Sequence, residues 1–80
     1  MKNSKRNNRR QFAIQNNLLI LVNKTFTEKE TINIFNGLGI EIFMCIDSED
    51  KDKFFELSGL MVSGNHNQDL NQMEFTITEI

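Results

Sequence analysis

Residues 27–46 read TEKETINIFNGLGIEIFMCI, and the hydrophobic period changes inside this stretch. Ile32, Phe35 and Leu38 recur at the spacing of one helix face, whereas Ile40, Ile42, Met44 and Ile46 alternate with Glu41, Phe43, Cys45 and Asp47, as along a strand. The helix carries start and stop signals of its own. Thr27 and Glu30 have the spacing of a capping box, with Thr25 and Glu28 an equally spaced alternative, and acids in the first turn suit the positive end of the helix dipole. Gly37 or Gly39 ends the helix in the left-handed conformation. The stretch therefore predicts a helix over 27–37 and a strand over 40–46, with Cys45 a small hydrophobe in mid-strand.

Working outward, Ser48-Glu49-Asp50-Lys51-Asp52-Lys53 opens a second helix with Phe54, Leu57 and Met61 at helical spacing, weakened at Gly59. Residues 63–72 (SGNHNQDLNQ) are mostly polar and read as a long loop. Met73, Phe75 and Ile77 alternate with Glu74, Thr76 and Thr78, the pattern of a closing strand with one wet face. Upstream, Phe12 and Ile14, then Asn16-Asn17, then Leu18–Val22 read as a hairpin, because Asn tolerates the left-handed backbone of a two-residue turn. The expected fold is a small two-layer α/β or α+β domain in the order β-β-α-β-α-β, with roughly four strands in one sheet and the two helices mainly on one face.

Charge is segregated along the chain. Five of the nine Lys and Arg residues (Lys2, Lys5, Arg6, Arg9, Arg10) fall in residues 1–10, and the remaining four face all eleven Asp and Glu, so a body of −7 carries a tail of +5. Residues 1–10 have no apolar periodicity and are expected to be a flexible basic arm, with 11–80 a single folded domain. The chain is 39% hydrophobic with seven Phe, which gives the body material for a core. A single cysteine excludes an internal disulfide framework, so nothing in it suggests an oxidising compartment. Arg9-Arg10-Gln11-Phe12 has the look of a twin-arginine export signal, but the apolar run Leu18–Val22 is too short to follow one, so the expected location is cytoplasmic. No segment has the length of a membrane span.

Residues able to run a reaction are few. His66 is the sole histidine, sits in Asn65-His66-Asn67 and reads as a solvated loop residue, while one His and one Cys cannot assemble a zinc site of the usual kind. The acidic run Asp47, Glu49, Asp50, Asp52 lacks the Gly at the sixth and the Glu at the twelfth position of a calcium loop, since Asp52 and Ser58 stand there. Gly37-Leu38-Gly39 follows a helix and is a helix stop, not a dinucleotide fingerprint. No catalytic, cofactor-binding or metal-ligating residue is assigned, and the chain is expected not to be an enzyme.

Two resemblances accompany this reading. Phe26-Thr27-Glu28-Lys29-Glu30, leading to Gly39-Ile40 and the 40–47 strand, resembles the first strand–helix–strand of nitrogen-regulatory PII-like sensors, which implies a trimeric domain binding a small effector between subunits. Phe12-Ala13-Ile14, Ser58–Gly64 and Phe75–Thr78 are similar, in order, to segments of HPr phosphocarriers, which implies a regulatory domain without its phosphorylatable histidine; the family's serine position falls on Glu56. No functional residue carries over from either.

The expectation that best fits the charge pattern is a non-enzymatic interaction or regulatory protein, an inhibitor or accessory factor. In it, Asp47, Glu49, Asp50 and Asp52 form an acidic docking surface for a partner protein. Lys2, Lys5, Arg6, Arg9 and Arg10 touch nucleic acid nonspecifically or meet an acidic patch. A homo-oligomer is compatible with this; a membrane partner is not expected.

Overall fold

The computed structural model describes residues 4–79. Its elements are helix α1 (Ser4–Gln15), a 3₁₀ turn (Leu18–Leu21), strand β1 (Thr25–Thr27), helix α2 (Glu28–Gly37), helix α3 (Ser48–Ser58) and strands β2 (Leu60–Asn67) and β3 (Gln72–Glu79). The three strands form one antiparallel sheet in the order β1-β3-β2. The domain is α+β, built from three α-helices and three strands among the described residues, where the sequence led us to expect two helices and a fourth strand.

Alternation sorts each strand into two faces. Phe26, Leu60, Val62, Phe75 and Ile77 point to the core side, while Thr25, Thr27, Met61, Ser63, Asn65, Thr76 and Thr78 lie on the other face. The core joins Phe35 of α2, Phe54 of α3 and Ala13 of α1 to the inner face of the sheet. Phe35 and Phe54 are fully buried and stack with ring centroids 4.7 Å apart. Buried hydroxyls are satisfied within their own helices: Thr31 Oγ1 donates to the Thr27 carbonyl at 2.8 Å and Ser58 Oγ to that of Phe54 at 2.7 Å.

The two anticipated helices form where their start signals stand. Thr27 caps α2 reciprocally with Glu30. Asp47 and Asp50 build the same box on α3, and Gly59 ends that helix at φ 73°. Met61, expected on the helix face, thus falls in β2.

Four expectations are corrected. Residues 4–10, expected to be an arm, are the first turns of α1, which continues to Gln15; Lys2 lies outside the described residues. The hairpin expected over 12–22 is replaced by the end of α1 and the 3₁₀ turn. Asn17 does take the left-handed conformation (φ 57°), but it does so between two helical segments, with Asn16 N–H donating to the Phe12 carbonyl at 3.0 Å. Residues 40–46 form no strand: Ile40 and Ile46 are buried and Ile42 packs on the core along a helix-to-helix connection with no neighbouring strand, while Met44, expected on the same face, is exposed. Cys45 and Phe43 are correspondingly exposed, Phe43 to 91%. The polar loop expected over 63–72 is mostly strand, because β2 finds a full-length partner in β3 and cross-strand pairing overrides weak local propensity. The PII-like strand–helix–strand accordingly lacks its second strand.

Candidate functional site

Helix α1 gathers the basic residues on one side. At ~100° per residue, Lys5, Arg9, Arg6 and Arg10 span about 140° of its circumference, and Ala13, 1% exposed, lies within the same arc. That arc faces the body at its C-terminal end and opens to solvent at its N-terminal end. Gly59 sits against this arc, where a Cβ would stand at ordinary contact distance, 3.4 Å, from Arg9 Cβ; its φ of 73° is what favours glycine there. Arg9 lies 4.7 Å over the Phe55 ring and its guanidinium meets Glu56 at 3.4 Å. Arg10 reaches Glu79 at 3.3 Å. Lys5 and Arg6 are exposed and have no acidic partner among the described residues. Arg6, Arg9, Arg10, Phe55, Ser58 and Glu79 are among the residues around an open cleft of about 440 Å³ between α1 and the body.

Charges separated along the sequence are thus partly joined in space. The Arg10–Glu79 pair is exposed and Glu56 is exposed beside a partly buried Arg9; exposed pairs contribute about 0–1 kcal/mol, so the anchorage of α1 rests chiefly on Ala13, Phe12 and the Arg9–Phe55 stack.

The four acids expected as a docking surface divide into two pairs. Asp47 and Asp50 are engaged in the cap of α3: Asp50 N–H donates to Asp47 Oδ1 at 2.9 Å, Asp47 N–H donates to Asp50 Oδ2 at 3.1 Å, and Asp50 is 7% exposed. The hydrogen bond from the Asp50 backbone is the main cause that holds the Asp47 carboxyl below its ordinary value of 3.8. Glu49 and Asp52 remain exposed, Glu49 3.7 Å from Lys53 Nζ. They are joined by Glu41 and Glu56, and by the cation Lys53, around a shallow groove of about 600 Å³ that Ile40 and Leu57 also line. Glu56 follows Asp52 at one helical turn, a spacing that signals a shared face. Likewise Arg6, Arg9, Arg10 and Ala13 stand at the i, i+3, i+4, i+7 spacing of a helix stripe, the one sign in the sequence that α1 exists.

His66 is exposed on β2. Among the described residues no group of three or more His, Cys, Asp or Glu is placed to hold a metal ion, and no helix is long and apolar enough to cross a membrane. No protein-family model matches the chain, and neither a curated protein nor a solved structure does.

Proposed function

We propose that the protein is a small non-enzymatic interaction factor whose helix α1 binds a polyanion, the phosphate backbone of nucleic acid, while the acidic groove on α3 docks on a partner protein. The observation that carries this reading is the basic arc of α1: Lys5 and Arg6 project without an acidic partner among the described residues, beside Arg9 and Arg10, which exposed carboxylates hold only weakly. The first turn of α1 contains no acid, so its dipole is uncompensated there and an arriving anion is favoured. Phe12, the aromatic residue of α1, packs against the core, which leaves α1 itself no ring for base stacking and makes its contact one of charge without sequence reading. The acidic groove of Glu41, Glu49, Asp52 and Glu56 repels the same ligand and suits a basic protein surface.

Fluorescence anisotropy of a labelled duplex and of a single strand of equal length tests the first half. The full chain is expected to bind both with similar affinity at low salt, and Lys5→Glu/Arg6→Glu to abolish binding with an unchanged circular dichroism spectrum. Undiminished binding by the double variant would remove α1 from the function.

A further inference from the structure

The two edges of the sheet are unlike. The β1 edge is three residues long, and a short edge offers little to pair with. The β2 edge is eight residues long, LMVSGNHN, with no charged residue and no proline, so it has none of the usual devices that discourage strand addition.

Antiparallel alternation identifies which backbone groups face outward on β2. Ile77 exchanges hydrogen bonds with the β1 side, its N–H donating to the Lys24 carbonyl and its carbonyl accepting from Asn23 N–H. Thr76 and Thr78 therefore bond toward β2, and their partners Ser63 and Met61 bond back toward β3. Leu60, Val62, Gly64 and His66 consequently turn their N–H and C=O groups to the open edge. Leu60 N–H is taken by Ser58 Oγ at 3.1 Å. Val62, Gly64 and His66 are left, centred on Gly64, with no backbone hydrogen bond outside the sheet ladder among the described residues.

Beside this edge runs a groove of about 360 Å³ between α3 and β2, lined by Ser48, Lys51, Asp52, Phe55, Met61 and Val62. Met61 is 48% exposed there. The charged pair at its rim, Lys51 and Asp52, holds one residue of each sign.

We infer that the occupant of this edge is a second copy of the chain, paired β2 to β2 about a two-fold axis at Gly64. Both features are complementary to themselves under that operation. Val62 and His66 of one copy exchange N–H···O=C bonds with His66 and Val62 of the other, and Gly64 pairs with its own equivalent, which joins two three-stranded sheets into one of six strands. The two α3 helices then run antiparallel on the same face, closing the groove over Phe55 and Val62 and setting Lys51 and Asp52 of each copy against the opposite charges of the other. This assembly is independent of the polyanion reading.

The register gives a direct test. A two-fold at Gly64 places Ser63 opposite Asn65 of the second copy in a non-hydrogen-bonded pair, at a Cα separation suited to a disulfide. In a Cys45→Ser background, Ser63→Cys/Asn65→Cys is expected to form a covalent dimer on mild oxidation, while each single cysteine variant stays monomeric on denaturing gels. Sedimentation of the unmodified full chain across a concentration series is expected to show a monomer–dimer equilibrium. His66→Pro, which removes an outward N–H and no ladder hydrogen bond to β3, weakens it roughly tenfold or more, and Asp52→Lys weakens it through like charges. A monomer at every concentration, or a dimer insensitive to His66→Pro with no cross-link in the double cysteine variant, overturns the inference. Cross-linking equally efficient in the single variants contradicts the register and with it the two-fold.

Discussion

Asp47 shows how much one side chain does in a domain this small. Its carboxylate ties the first turn of α3 to the connection that precedes it, and the hydrogen bond from Asp50 N–H holds its pKa below 3.8. A carboxyl depressed by folding adds stability that is complete above its unfolded value and is lost as pH falls through the lower folded value. The acid limb of the stability curve, below about pH 4, is therefore expected to flatten in Asp47→Asn, which keeps the capping geometry and removes the charge; an unchanged acid limb in urea titrations counts against the cap as its source. Thr27 caps α2 without charge, and Thr27→Ala is expected to cost about 1 kcal/mol at any pH. Phe54 is fully buried and stacked on Phe35, so its truncation opens a cavity at the centre of the core. Phe54→Ala costs about 3–5 kcal/mol, comparable with the whole stability of roughly 5 kcal/mol expected for a chain of this length, so loss of near-ultraviolet and amide dispersion is the expected readout.

At the scale of elements, legibility followed the origin of the signal. α2 and α3 announce themselves through capping boxes and glycine stops, which act within a few residues, and both form where those signals stand. β2 and α1 are made by partners distant in sequence. The polar residues 63–67 gain nothing locally from extension and become strand because β3 lies alongside. α1 has no acid in its first turn and two adjacent Asn, yet Ala13, Phe12 and the Arg9–Phe55 stack fix one side of it to the body. The alternation of residues 40–46 reported the burial of Ile40, Ile42 and Ile46, which reach the core without a ladder, and misled at Met44, which is 88% exposed. The candidate site divides in the same way: Arg6, Arg9 and Arg10 were legible as charge, whereas Phe55, Glu56 and Glu79, which complete the cleft, became apparent only in the fold. Ala13→Asp is accordingly expected to release α1 alone, seen as fast amide exchange over residues 4–15 with protection retained in α3 and β3; uniform loss of protection contradicts an element held by this contact.

For the whole molecule, a chain of formal charge −2 carries its positive charge at one end, where α1 folds back on the acidic body. The body competes with any polyanion for Arg9 and Arg10. Glu56→Gln/Glu79→Gln removes that competition and is expected to tighten polyanion binding severalfold, whereas an account in which α1 serves only to cover the core expects no change. The most direct measurement is the salt dependence of binding to a labelled duplex. Four described cations, Lys5, Arg6, Arg9 and Arg10, predict a slope of about −3 to −4 for log affinity against log salt, and Lys5→Ala/Arg6→Ala should make it shallower by about 2. A slope near zero, or one that the double substitution leaves unchanged, would contradict the assignment of α1 as the polyanion-binding helix.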